Sequence, residues 1–215
     1  MEELCSGKNV MENWKISASC HSTGAGKLLM LLLKLRLGFS FVALVFSIVE
    51  VTVPSIYKLF ITLDGLQAMV AFLVILSSSL VFLVWLHRFH ADLKDVFSEY
   101  PITPWGAIAR FVIPFYSLWG IWKTLSTFAD RLLPEGGDLT SLSHQLRSCI
   151  PLLYAFTIIS NTLGRIILNS NSQEQVSPWV SFSASAVEVC LVMTLLQLTK
   201  TMQTALAQKT KRALI

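Results

Sequence analysis

Charge is what this 215-residue sequence has least of: 14% of its residues are Asp, Glu, Lys or Arg, while 53% are hydrophobic. Soluble domains carry about 25% charged residues, so the balance excludes an ordinary soluble domain and points to a bilayer as solvent. The net charge of +4 is too small to suggest nucleic acid as a partner. Cysteine is also sparse. Cys5, Cys20, Cys149 and Cys190 stand far apart with no CxxC pair, which leaves no zinc or redox motif and suggests free thiols. A nucleotide loop is lacking too. "STGAGKLL" at Ser22 to Leu29 resembles one, but His21 stands where its first glycine is needed and no Ser or Thr follows Lys27.

Long apolar runs are what the sequence has. A hydrocarbon core about 30 Å thick takes roughly 20 helical residues, and four runs have that length: 35–53, 66–86, 150–168 and 179–198. Residues 1–26 are mostly polar and too acidic at the start for a signal-peptide leader, so they are expected to form a flexible cytoplasmic tail. The membrane domain is then 27–200, and 201–215 a basic cytoplasmic tail.

Lys and Arg orient the spans. Five lie in the stretch through Arg36, one in 54–65, six in 87–149, none in 169–178 and four from Lys200 onward. With four spans, the basic segments share one side, the cytoplasm, and the short turns 54–65 and 169–178 share the other. Counting the apolar stretch "PWGAIARFVIPFYSLWGIW", Pro104 to Trp122, as a fifth span would export the basic C-terminus, so charge asymmetry rejects it. Its Trp105, Phe111, Phe115, Tyr116, Trp119 and Trp122 suit the headgroup level. Helical spacing predicts one apolar face along it, with Arg110 and Lys123 in water and a break at Pro114. From Trp119 to Leu133, Trp122, Leu125, Phe128 or Ala129 and Leu132 share a face, and Pro134 stops the helix. The interfacial segment 104–133 is thus the best partner-binding surface, through Trp105, Arg110, Pro114, Trp119, Trp122 and Lys123, with docking on lipid as the alternative.

The stretch "TPWGAIARFVIPFYSLWGIWKTL" resembles the bacterial membrane family known as domain of unknown function 4328. The matching residues are Trp85 and Arg88 at the close of the second span, Thr103-Pro104 with Trp105 and Gly106, Phe111 with Pro114, and Leu118-Trp119. The sequence departs from that pattern at Ala107 to Ala109, where more aromatics are expected, and at Lys94 or Asp95, where an Asn is expected. The resemblance covers roughly 35–198. It implies two helical hairpins joined by such a segment in a bacterial, hence inner, membrane, and it implies no catalytic activity.

Ionisable residues within spans cost about 2.5 to 3.5 kcal/mol at the centre, which singles out Glu50, Arg165 and Glu188. Glu50 and Arg165 lie equally deep from the external side and could pair between the hairpins, or snorkel separately to the headgroups. Glu188 falls near the midplane, where Asn161 is the nearest expected partner, as a structural clasp or as a proton or cation relay. Ser181 and Ser185 form a small-residue face for close helix contact. His87 and His90, with Asp95 as a weak third, allow a metal by spacing, but no third strong ligand follows, and histidine is an ordinary anchor at a span end. A short helix capped by Asp138 or Thr140 should lead into the third span.

The expectation is therefore an all-α integral membrane protein of two antiparallel hairpins, both termini cytoplasmic. Without a nucleophile, base or metal constellation, neither enzyme nor cofactor is expected. The leading expectation is a scaffold or accessory subunit that contacts the lipid bilayer and binds a protein partner or a second copy. The alternative is a small oligomeric channel or transporter with a path past Glu188 and Asn161.

Overall fold

The computed structural model describes residues 20–97, 100–169 and 177–213. Among these there is no strand. The helices are α1 (Cys20–Thr52), α2 (Pro54–Val96), α3 (Pro104–Val112), α4 (Pro114–Leu132), α5 (Asp138–Asn169) and α6 (Pro178–Ala213), with a 3-10 turn at Leu133–Glu135 between α4 and α5. Four of them, α1, α2, α5 and α6, are long and apolar enough to cross a membrane. The chain is thus an all-α protein of multi-pass membrane character, and its apolar helices suit contact with lipid.

Proline sets most of the helix starts. Pro54, Pro104, Pro114 and Pro178 each stand at the head of a helix, where the missing N–H has no partner to lose. Thr103 caps α3, its Oγ1 accepting from Gly106 N at 3.1 Å. The break expected at Pro114 falls at Ile113, which is extended (φ −77°, ψ 117°) between α3 and α4 as pre-proline sterics favour. Gly136 and Gly137 have φ of 70° and 60°, a region glycine enters without strain, and they turn the chain from α4 into α5.

Several boundaries differ from the sequence expectation. Residues 54–65, expected as a turn, are helical: α2 begins at Pro54 and only Val53 separates it from α1. The Val53 carbonyl accepts from Ile56 N and Tyr57 N at 3.0 and 3.2 Å, so the ladder restarts at once. Residues 20–26 belong to α1, while the rest of the expected N-terminal tail, 1–19, lies outside the described residues, as does most of the turn 169–178. The expected short helix from Asp138 is continuous with the third span, and α5 carries Pro151 in its interior. Residues 201–213, expected as a tail, continue α6. Its Lys209 Nζ lies 2.5 Å from Glu135 Oε1, and Arg212 Nη1 donates to the Glu135 carbonyl at 2.9 Å. Basic side chains near the end of α6 thereby bind carboxylate and carbonyl oxygens of the Glu135 turn.

The chain divides into two compact units. Of the described residues, one comprises 20–29, 80–97, 100–146 and 201–213, the other 30–79, 147–169 and 177–200. In the first, Trp85, Leu86, Phe89 and Leu93 of α2 and Leu125, Phe128, Ala129 and Leu132 of α4 are buried together with Leu139, Leu146 and Met202. Phe89 meets Trp85 and Phe128 with ring centroids 5.1 and 5.3 Å apart, and burying each such side chain contributes roughly 1.5–3 kcal/mol. α3 folds onto α4 where Gly120 lets the Arg110 stem approach: a Cβ on Gly120 would stand 2.7 Å from Arg110 Cβ. Ser143 Oγ donates to Ala129 O at 2.7 Å and ties α5 to α4.

The second unit is patterned the other way round. Its α1 and α2 residues turn Val45, Leu59, Ile61, Met69 and Leu73 outward, all more than half exposed. Polar residues occupy the sheltered face: Arg36, Ser40, Ser47 and Glu50 on α1, and Tyr57, Asp64, Gln67 and Ser78 on α2. A bundle in water buries its apolar stripe; one in lipid can turn it outward, because hydrocarbon does not penalise it.

Candidate functional site

The sheltered polar residues of the second unit line a cavity of about 640 Å³. On α1 they recur at helical spacing at Arg36, Ser40, Ser47 and Glu50, with the apolar Ala43 between the serines, a run of about 21 Å at 1.5 Å per residue. That is two thirds of a hydrocarbon core about 30 Å thick. α2 contributes Tyr57, Asp64 and Gln67, α5 Ser160 and Gly164, and α6 Ser181, Ser185 and Glu188.

Four polar contacts order the lining. Arg36 donates from Nε and Nη2 to Glu188 Oε1 at 3.0 and 2.5 Å, with both side chains largely sheltered. Tyr57 OH donates to Asp64 Oδ2 at 2.6 Å. Ser47 and Ser185 hydroxyls meet at 3.0 Å, bringing α1 against the expected small-residue face of α6. Gln67 Nε2 donates to the carbonyl of Phe39 at 3.0 Å. Glu50 and Asp64 lie near enough to interact electrostatically.

These contacts revise the pairings expected from depth alone. Glu188 binds Arg36, at the start of the first span, and among the described residues no bond joins Glu188 to Asn161. Asn161 is exposed, and its neighbour Ser160 lines the cavity. Arg165 is exposed as well, and no ion pair links it to Glu50 among the described residues. One helical step separates the outward pair 161 and 165 from the lining positions 160 and 164, too fine a distinction for a depth count. The signal that could have found the site was angular: Arg36, Ser40, Ser47 and Glu50 fall on one face of the first span, as Ser181, Ser185 and Glu188 do on the last.

Comparison with family models, with curated proteins and with solved structures gives no match. The site's meaning therefore rests on its own geometry.

The other expected residues lie in the first unit. Leu125, Phe128, Ala129 and Leu132 are buried as their spacing predicts, but Trp122 is 44% exposed and Trp119 and Trp105 are each 73% exposed. Trp122 thus turns away from the face it was expected to share with the buried leucines, while Trp105 and Trp119 stand outward. Arg110 packs its stem on Gly120 and donates from Nη1 to Thr124 Oγ1 at 3.4 Å, so it is not simply in water, whereas Lys123 is exposed. Pro114 opens α4, and its side chain falls outside the described positions. His87 and His90 take different neighbours. His87 meets the Trp105 ring at 5.0 Å, while His90 is fully buried, Nδ1 donating to Leu86 O at 3.0 Å, with its ring 5.8 Å from Tyr100. Burial raises the Tyr100 phenol above its ordinary range and keeps it neutral. Among the described residues no three His, Cys, Asp or Glu side chains gather as a metal site would require.

Proposed function

We propose that this chain is a non-enzymatic multi-pass membrane protein, of channel or transporter type, that admits a small polar solute through the cavity of its second unit. The observation that carries this reading is a cavity in which charged and hydroxyl side chains recur over about 21 Å on helices that otherwise present apolar side chains. Keeping Arg36, Glu50, Asp64 and Glu188 inside an apolar bundle is costly, and a fold that needed only to span lipid gains nothing from it. The proposed topology is two antiparallel hairpins with both termini cytoplasmic in a bacterial inner membrane. It is supported by the Gln67 to Phe39 contact, which joins residues equidistant from Val53, and by the clustering of Lys and Arg on one side. The path follows Glu188 and Ser160, with Asn161 outside it.

The test is flux into liposomes holding the purified full chain, with three labelled probes of different charge: tetramethylammonium, mannitol and methanesulfonate. At least one should cross faster than in protein-free liposomes, and Gly164→Phe, which fills the cavity, should stop it. If none of the three crosses above the protein-free rate, the reading is refuted.

A second reading is favoured by the exposed indoles of Trp105, Trp119 and Trp122: a scaffold or accessory subunit that docks a membrane partner on α3 and α4. A stoichiometric partner recovered from detergent extracts with the unaltered chain, and lost with Trp105→Ser and Trp119→Ser, is its expected result.

A further inference from the structure

The first unit holds a cavity of its own, of about 400 Å³, and we infer that it binds a small uncharged polyhydroxyl molecule of sugar or polyol type. Its wall is shared by α1, α2 and α6. What points to a ligand is a pair of buried donors that no protein atom satisfies. Trp85 lines the cavity and is wholly buried, yet its Nε1 has no hydrogen-bond partner among the described residues. The same holds for Nε2 of Gln203, which lines the cavity beside it. Gly26 lets the two converge: a Cβ there would stand 2.5 Å from Gln203 Nε2 and 3.2 Å from Trp85 Nε1. Each unsatisfied buried donor costs about 1–3 kcal/mol, and two N–H groups cannot satisfy one another. Gln203 is half-buried and makes no other hydrogen bond among the described residues, so its amide can turn to uncover the indole. An acceptor oxygen in the cavity then serves both donors.

The rest of the lining sets the character of the molecule that carries this oxygen. Asp92, 8% exposed, is the only acidic or basic residue there, so no base balances an anion. A simple ammonium group has no lone pair to offer Trp85 and Gln203. Hydroxyl groups meet both demands, accepting from the two N–H donors and donating to the Asp92 carboxylate. Ser22 and Thr210 add hydroxyls of their own to the wall, while Phe89 and Leu206 give apolar surface to the C–H face of a ring. The volume falls in the lower part of the roughly 300–1,000 Å³ of small-molecule pockets, room for one sugar ring.

The experiment is equilibrium binding of labelled glucose and myo-inositol to the full chain, purified in a detergent without a sugar head, with tetramethylammonium and methanesulfonate as charged probes. At least one of the two polyols should bind, and neither charged probe should. Trp85→Phe, which keeps a ring and removes the donor, should weaken binding about tenfold. Ala207→Phe, at an exposed position of the lining, should abolish it, and Gly164→Phe in the second unit should leave it unchanged. In the unaltered chain the bound polyol should shift the Trp85 indole N–H proton resonance, identified by its loss in Trp85→Phe. Binding of neither polyol, or of a charged probe in their place, would overturn the inference. So would undiminished affinity in folded Trp85→Phe and Ala207→Phe, or an indole resonance that does not respond. Flux through the second unit is read separately, so failure of one reading leaves the other standing.

Discussion

Replacing Arg36 and Glu188 singly and together by glutamine tests how the cavity is held. The two side chains are 13% and 24% exposed and share two donor contacts to one oxygen. Unit charges about 4 Å apart attract by about 4 kcal/mol at an effective dielectric of 20, and desolvation offsets part of this. Breaking a fully buried pair costs about 3–5 kcal/mol, and an exposed pair contributes about 0–1 kcal/mol. The sheltered but not sealed position of this pair puts each single substitution at about 2 kcal/mol. Each leaves the other charge unbalanced against an apolar bundle, whereas the double variant removes both and should cost about the same as either single. The predicted coupling is therefore about 2 kcal/mol, within the range of contacting residues. Reversible unfolding in mixed micelles reads all four proteins. Additivity within about 0.5 kcal/mol would refute the pairing.

Gly120→Ala should destabilise by about 1 kcal/mol or more despite the helix propensity it gains, because its Cβ would meet Arg110 Cβ at 2.7 Å and Cα at 3.2 Å. Gly65→Ala, in a helix with nothing within 4 Å of its Cβ, should stabilise by about 0.5–1 kcal/mol; the same unfolding assay compares their signs. Thr103→Ala removes the α3 cap and should cost about 1 kcal/mol, with Thr103→Asn restoring most of it. Ser160→Leu should reduce solute flux in liposomes severalfold, and Asn161→Leu should leave it unchanged; equal effects would place the path elsewhere.

The spans were legible because length and hydropathy report them directly: 35–53, 66–86, 150–168 and 179–198 each fall within a long helix, to within one residue at Val53. The break at Pro114 was legible for a local reason, since proline restricts the residue before it. Helix ends beyond the spans were not. Pro54 is a helix start as readily as a turn, so composition alone misassigned 54–65. Lys209 and Arg212 read as a tail until their partners on the Glu135 turn were known, and those lie 74 or more residues away in sequence.

The cavity was half legible. Glu50 and Glu188 stood out because charge in a span is rare, but depth along a helix fixes level and not direction. Arg36 and Glu188 are separated by 152 residues, and the long arginine stem lets a residue near a span end reach well inside. Asn161 and Arg165 were chosen by level, and one step of helical rotation put Ser160 and Gly164 inward instead. Trp122 differed in the same way: its spacing was helical, but burial went to Leu125, Phe128 and Leu132.

The most direct test of the cavity is the reactivity of single cysteines at Ser160, Asn161, Ser181 and Met69, in a chain otherwise free of cysteine, reconstituted in liposomes and treated with a water-soluble thiol reagent. The account predicts modification at 160 and 181 and protection by lipid at 161 and 69. Modification at 161 and 69, with 160 and 181 inert, would contradict it.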